Sequence, residues 1–214
     1  MFKFSERTEV NKVFKLSEVF KMIDANKEVK QDASVIESLK ISNILSSEST
    51  NFEETENFEA IYIVDVVVKD KAFPKLFLDE FNKNINFQTL FKVYSKSNVN
   101  YYSSLKIIDE ENVKVLKTFE SGWQDQDIVD LPQVTYLEDV FKEIISYIST
   151  YRFKASETMQ EYVSRLAEIN KKKVEIEKLE KTMRNEKQPN LKMELNDKLK
   201  ILKKELLELN GYKK

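Results

Sequence analysis

Two residue types that carry much of enzyme chemistry are missing from this 214-residue chain, which contains neither cysteine nor histidine. Without cysteine, disulfides, thiolate nucleophiles and cysteine-based zinc sites are excluded. Without histidine, the commonest general base and metal ligand is gone, and with it every triad of the Ser-His-Asp kind. An enzyme made from this chain would have to work with carboxylates, lysine, tyrosine or a bound cofactor.

Glycine and proline are scarce as well, with two glycines and three prolines in the chain. P-loop and Rossmann phosphate sites need several glycines close together, whereas Gly122 and Gly211 stand far apart. We therefore expect no nucleotide loop, no cofactor and no metal site. The carboxylates Asp125, Asp127 and Asp130 lack the glycine and the terminal glutamate of a calcium loop, so a solvated turn is the preferred interpretation.

Long apolar runs are also missing. No stretch of 18 apolar residues occurs, and the N-terminal residues contain no apolar segment of the signal-peptide kind. These features predict a cytoplasmic protein without a membrane span. The hydrophobic content of 41% and the aromatic content of 11% are sufficient for a packed core.

The first three quarters of the chain, residues 1–152, are predicted to form an α+β globular domain. The expected helices cover residues 8–25 (with Ser17 as an N-cap), 32–39, a segment opened by Pro74, and 137–148, while the expected strands cover 40–45, 60–69, 87–95, 101–108 and 112–119. The short connections between the last three strands favour antiparallel pairing. The pattern thus predicts a mixed, largely antiparallel sheet flanked by helices.

Residues 153–214 have a different character and predict an α-helical, coiled-coil hairpin that turns at Gln188-Pro189-Asn190. Apolar residues at steps of three and four form a narrow interaction seam with lysine and glutamate around it. The seam residues are Leu166, Ile169, Ile176, Leu179, Met183, Leu195, Leu199, Leu202, Leu206 and Leu209. Such a hairpin is typical of a device for docking onto a protein partner or for self-association.

The hairpin segment also differs from the rest of the chain in charge. Between Lys171 and Glu205 there are 12 basic and 7 acidic residues, a local charge of +5, against 23 basic and 30 acidic residues (−7) elsewhere. The simpler interpretation is that lysine and glutamate solvate the outside of a coiled coil. Contact with nucleic acid is the alternative, with candidates that flank the turn: Arg184, Lys187 and Lys192.

One acid lies inside the strongest predicted strand, where burial of a charge is costly. Asp65 could serve a restriction-type nuclease, which combines such an acid with an acid-x-Lys motif on the next strand to hold a divalent metal. On the next strands the chain offers only Lys106 and Lys114 as companions, and Lys69 is a further candidate. The second acid of the motif is missing, although Glu9 or Glu111 could take its place in space. The preferred interpretation is that Asp65 pairs with a lysine or lies on a solvated face. Trp123 and the tyrosines 101 and 102 are likewise interpreted as structural.

The order of these segments resembles a bacterial and archaeal family, domain of unknown function 4391. The likeness rests on residues 7–12 (Arg-Thr-Glu-Val-Asn-Lys), the aliphatic strand before Pro74, residues 89–94, Trp123, residues 131–138 and the hairpin residues 179–196. The resemblance implies a gene that often lies beside helicase and DNA methyltransferase genes in restriction or phage-defence loci. It supplies no catalytic residues.

Three hypotheses follow from the sequence. The first is a non-catalytic assembly or accessory subunit of a DNA-processing system that docks through its hairpin, to itself or to a partner. The second is a degenerate metal-dependent nuclease centred on Asp65. The third is a nucleic-acid-binding module that uses the basic hairpin.

Overall fold

The computed structural model describes residues 2–55, 58–109, 112–125 and 129–210. The chain falls into two units, Met1–Ser149 and Thr150–Lys214. The first contains a mixed sheet with helices, and the second contains a pair of antiparallel helices, so the fold class is α+β with a C-terminal helical hairpin.

A seven-stranded sheet forms the centre of the first unit, in the order β2-β3-β4-β5-β6-β7 with β8 also paired to β6. Only the β4–β5 pair is parallel within this sheet; the other pairs are antiparallel. A separate pair of two-residue strands, β1 and β9, is parallel. The strands are β1 Phe2–Lys3, β2 Glu9–Phe14, β3 Ile36–Ser46, β4 Ala60–Val68, β5 Gln88–Ser95, β6 Asn98–Ile108, β7 Val113–Glu120, β8 Gln124–Asp125 and β9 Val129–Asp130.

Helices cover both faces of this sheet. Helices α1 Leu16–Met22, α2 Lys27–Asp32 and α3 Lys75–Lys83 share a core with one face, in which Phe77 and Val29 join Val64 and Val66. Helix α4, Leu137–Ile148, packs on the other face against β4, β6 and β7. Burial on both faces explains the near-continuous apolar run of β4.

The first predicted helix is wrong over its first half. Residues 9–14 form the edge strand β2, and only the part from Leu16 onward is helical. The valines 10 and 13 suit a strand, and Asn11 takes a left-handed backbone conformation (φ 50°) that no helix contains. Ser17 is not the N-cap, because that position belongs to Lys15, whose side chain makes no capping hydrogen bond.

The second predicted helix is misplaced. Helix α2 begins five residues earlier than expected, where the Asn26 side chain accepts a hydrogen bond from the Val29 backbone N–H at 2.9 Å. Residues 36–39, for which the pattern predicts a helix, instead open the long strand β3, where Ile36 pairs with Val68 of β4. Pairing with a strong central strand thus overrides a weak local helical pattern.

The second unit contains α5, Met159–Asn185, and α6, Pro189–Asn210. Their 27 and 22 residues correspond to helices about 40 Å and 33 Å long. A capping box at Thr158 and Glu161 starts α5, and Pro189 occupies the first turn of α6, where its missing N–H has no cost. Among the described residues, no helix combines the length and the apolar character needed to cross a membrane.

Candidate functional site

Asp65 lies in the middle of the sheet between two lysines from neighbouring strands. Its register partners are Lys40 on β3 and Lys92 on β5. The Lys92 ammonium is 2.8 Å from Oδ1 and the Lys40 ammonium is 3.7 Å from Oδ2, while the Ser42 hydroxyl donates a hydrogen bond to Oδ1 at 3.0 Å. Only 9% of Asp65 and 4% of Lys92 is exposed. The acid is thus held in a buried ion pair, in agreement with the preferred interpretation.

The edge strand β2 extends this cluster toward the surface. The Lys40 ammonium donates to the Asn11 side-chain oxygen at 3.4 Å, and the Asn11 amide donates to Glu9 Oε2 at 3.4 Å. On the inner side, the Lys92 ammonium lies over the ring of Phe4 at 5.4 Å. Burial and the nearby Asp65 carboxylate raise the pKa of the Tyr94 phenol. Glu9 is therefore linked to Asp65 only through two intervening side chains.

Lys69 and Lys114, the other two candidates of the nuclease hypothesis, are not brought to Asp65, and Glu111 lies outside the described residues. Lys69 follows the end of β4, and four residues along a strand correspond to about 13 Å. Lys114 lies on β7, three strands away from β4, which corresponds to roughly 14 Å across the sheet. Within the described residues, no three side chains of aspartate or glutamate are gathered to hold a metal ion.

Lys106 of β6 is a second buried lysine, and its burial was not predicted from the sequence. Its ammonium donates to the backbone carbonyls of Asn82 at 3.5 Å and Ile85 at 3.4 Å, and also to that of Phe87. These carbonyls lie at and beyond the C-terminal end of α3, where the helix dipole favours a cation. Burial lowers the pKa of Lys106 to about 7. Nothing in the sequence distinguishes this lysine from the solvated lysines of other strands.

Lys106 leads to a prediction about pH. A lysine with a folded-state pKa of about 7, against 10.5 unfolded, binds more protons in the unfolded chain between these two values. The contribution of Lys106 to the free energy of unfolding should therefore rise with pH, by up to about 1.4 kcal/mol per pH unit in that window. Urea unfolding of the wild-type protein and of Lys106→Met between pH 6 and about 10 measures the difference. A pH-independent difference would contradict the lowered pKa.

The aromatic candidates are structural, as expected. Tyr101 and Tyr102 are fully buried on opposite faces of the sheet: Tyr101 contacts the Phe2 and Tyr147 rings, and Tyr102 contacts the Phe73 and Phe91 rings. Trp123 is partly buried against the core that α1, α2 and α3 share with the sheet. Neither tyrosine presents a ring surface on which a base could stack.

In the hairpin, the seam residues face one another between α5 and α6. Four of them, Leu166, Ile169, Ile176 and Leu199, are buried. The other six remain half-buried, because two helices cover only part of each apolar stripe: Leu179, Met183, Leu195, Leu202, Leu206 and Leu209. The predicted seam residues are therefore used mainly to pack α5 against α6 within the hairpin itself.

A buried arginine holds the open end of the hairpin together. Arg165 of α5 binds Glu157 through two hydrogen bonds of 2.6 and 2.7 Å, and it also donates to the backbone carbonyls of Arg152 at 2.7 Å and of Leu209 on α6 at 3.2 Å. Both charged side chains are over nine-tenths buried. Burial alone would raise the pKa of Glu157, but hydrogen bonds from the Arg165 side chain and the Lys154 backbone lower it.

Two ion pairs join the helices on opposite sides of the seam. Lys172 lies 2.7 Å from Glu205 on one side, and Glu180 lies 2.8 Å from Lys203 on the other. Successive residues of an α-helix are rotated by about 100° around its axis. The two ion pairs therefore determine on which side of the seam each of the other side chains of the hairpin lies.

The two sides differ in charge. The side that contains Lys203 presents six cations, and we call it the basic face: Lys173, Lys181, Arg184, Lys192, Lys200 and Lys203. The side that contains Glu205 presents six glutamates against two lysines (172 and 198), and we call it the acidic face: Glu161, Glu168, Glu175, Glu194, Glu205 and Glu208. The charge of the hairpin is thus distributed unevenly between two unlike surfaces.

The three nucleic-acid candidates near the turn are exposed, and two of them belong to the basic face. Arg184 lies in the last turn of α5 and Lys192 in the first turn of α6, while Lys187 lies between the two helices. The structure adds Lys173, Lys181, Lys200 and Lys203, which sequence reasoning missed because it lacked the pairing of the two helices.

The family model described as Domain of unknown function (DUF4391) matches residues 2–206 of the 214-residue chain. The chain belongs to this family. No curated protein and no solved structure matches the chain. Two segments on which the resemblance to the DUF4391 family rests lie in the sites described above. Residues 7–12 supply Glu9 and Asn11 to the cluster around Asp65, and residues 179–196 form the closed end of the hairpin.

Proposed function

We propose that this protein is a non-catalytic accessory subunit of a DNA-processing system of the restriction or phage-defence type, and that it acts in the cytoplasm. It docks onto a protein partner through the acidic face of its hairpin. The tie to DNA processing rests on what the resemblance to the DUF4391 family implies, namely a gene that often lies beside helicase and methyltransferase genes. The docking role is supported by the apolar side chains that this face leaves exposed.

The observation that carries the proposal is a group of apolar side chains on the acidic face. Ile201 is 60% exposed and Leu191 is 41% exposed. Leu179 and Met183 lie beside them and are half-buried. Exposed apolar side chains that lie among charged ones are typical of a protein interface, since their burial by a partner is favourable.

The chemistry of the acidic face also defines the partner. Glu175, Glu194 and Glu205 lie on the same face as these apolar side chains, and Glu205 is paired with Lys172 at 2.7 Å. An amphipathic helix with an apolar stripe and flanking lysines or arginines would bury the exposed leucine and isoleucine side chains and pair with the glutamates. Such a helix would complete a three-helix arrangement around stripes that two helices cover only in part.

The seam residues are unsuitable for testing this proposal. Leu199 is 7% exposed and lies between α5 and α6, and Leu202 is half-buried beside it. Aspartate at either position would place a charge inside the hairpin and disrupt its folding. Loss of a partner would then follow from unfolding, whatever surface the partner contacts.

The matched test uses two exposed residues of α6 on different faces. Ile201→Asp introduces a charge on the acidic face, and Leu207→Asp introduces the same charge on the opposite side, where Leu207 is 69% exposed. We expect Ile201→Asp to weaken capture of the co-expressed helicase or methyltransferase of the same locus at least tenfold. Leu207→Asp should leave capture unchanged. Circular dichroism should show the same helix content in both variants.

Three results would contradict the proposal. One is that neither the helicase nor the methyltransferase is captured by the wild-type protein. Another is that Ile201→Asp captures the partner as well as the wild type does. The third is that both variants lose the partner equally while they remain folded, which would show that the acidic face is not the docking surface.

A further inference from the structure

We propose that the basic face of the hairpin binds nucleic acid through the phosphate backbone. The proposal concerns the side of the hairpin opposite to the docking surface and does not depend on the docking role. It rests on two observations: the segregation of charge between the two faces and the spacing of the cations.

Charge segregation gives the basic face its own electrostatic potential. Six cations lie on this side, and three of them have partners within the hairpin unit. Lys203 is paired with Glu180 at 2.8 Å and Lys200 with Asp197 at 3.1 Å, and the Lys173 ammonium lies over the Tyr151 ring at 5.2 Å. Lys181, Arg184 and Lys192 are exposed, and no described carboxylate lies within 4.0 Å of their side-chain nitrogens. Cations that are exposed and lack an ion pair attract polyanions from solution.

The spacing of the cations matches an extended polyanion. On α5 they run from Lys173 to Arg184, and on α6 from Lys192 to Lys203, so each row covers eleven helical steps, or about 16 Å. The two rows are separated by the interhelical distance of about 8–10 Å. Double-stranded DNA carries one phosphate charge per about 1.7 Å of its axis, so several phosphates lie within reach of both rows.

This side of the hairpin also exposes three apolar side chains: Val174 (50%), Met193 (70%) and Leu207 (69%). Met193 follows Lys192 near the start of α6. Nucleic acid is preferred as the occupant because the cations form two extended rows and phosphates need no apolar anchor.

Phosphate contacts carry no sequence information, so the interaction should be indifferent to base sequence. It should also weaken steeply with salt, because each neutralised phosphate releases counterions. The log–log slope of affinity against salt concentration is expected to change by about 0.9 for each phosphate contact to duplex DNA that is lost.

The experiment compares two triple variants of the full chain with identical net charge. One is Lys181→Gln/Arg184→Gln/Lys192→Gln on the basic face. The other, the control, is Lys171→Gln/Lys198→Gln/Lys204→Gln, which removes three exposed cations from the acidic face and the outer sides of the helices. Fluorescence anisotropy follows binding to a labelled duplex of random sequence, and to a single strand of the same length, over a series of salt concentrations.

We expect the wild-type protein and the control to bind with the same affinity and salt slope. The basic-face variant should lose at least tenfold in affinity at low salt and should show a shallower slope. The proposal is overturned if the wild-type protein does not bind either probe at low salt, or if both triple variants weaken binding equally. It is also overturned if the basic-face variant keeps full affinity for DNA but loses a protein partner, since the face would then bind protein.

Discussion

Replacement of Arg165 by methionine is expected to cost the hairpin about 3–5 kcal/mol of stability. The substitution leaves Glu157 as a buried charge without its partner and removes the hydrogen bonds to the backbone carbonyls of Arg152 and Leu209. Because Leu209 belongs to α6, the loss should be felt by both helices. The predicted result in urea unfolding, followed by circular dichroism, is an early transition that removes helical signal before the sheet unfolds.

Two controls show whether the charge pair itself is responsible. Glu157→Gln/Arg165→Met removes both charges and should recover part of the loss, because no buried charge is left unpaired. Arg165→Lys keeps a cation but cannot reproduce four directed hydrogen bonds, so it should recover little. A single wild-type-like transition for Arg165→Met would show that the pair does not hold the hairpin together.

The same pair makes the hairpin sensitive to acid. The pKa of Glu157 is lowered from its ordinary value of 4.5, so its contribution to stability is present above pH 4.5 and disappears as pH falls through the lower folded-state value. Arg165→Met should lack this component of acid sensitivity.

The elements that sequence analysis predicted correctly are those with strong local signals. The β-branched run of β4, the turn at Pro189 and the step from a broad apolar helix face in α4 to a narrow seam in α5 all appear where the pattern placed them. In each of these, the side-chain periodicity and the turn chemistry agree with the final fold.

The features that sequence analysis missed depend on partners that are distant in the chain. Residues 9–14 are a strand because β3 pairs with them, and Asn11 takes its left-handed conformation where the pairing register shifts. In the sequence, Arg165 and Lys106 look like ordinary exposed charges. Their roles become visible only when the backbone carbonyls to which they donate, such as that of Leu209 for Arg165 and that of Ile85 for Lys106, are placed beside them. The two charged faces of the hairpin likewise emerge only when the register between α5 and α6 is known.

Asp65→Leu is expected to cost about 3–5 kcal/mol, because it leaves the buried Lys92 ammonium without a countercharge. Lys40 should contribute little to this cost, since its side chain is 39% exposed and can turn toward solvent. The double variant Asp65→Leu/Lys92→Met fills the same space with apolar groups and should regain most of the stability. Chemical unfolding of the two single variants and the double variant gives the coupling energy between the two residues.

The double variant also separates a structural role for Asp65 from a catalytic one. If the role of Asp65 is structural, a stable double variant behaves like the wild-type protein in every assay, and any nuclease activity with Mg²⁺ or Mn²⁺ is unchanged. If the role of Asp65 is catalytic, nuclease activity that is present in the wild-type protein disappears from the double variant although stability is restored, because the metal-binding carboxylate is gone. The described geometry favours the first outcome, since Lys92 at 2.8 Å, Ser42 at 3.0 Å and Lys40 at 3.7 Å already engage both carboxylate oxygens. A metal ion would have to displace the lysines from a buried strand, and the loss of that pair would oppose its binding.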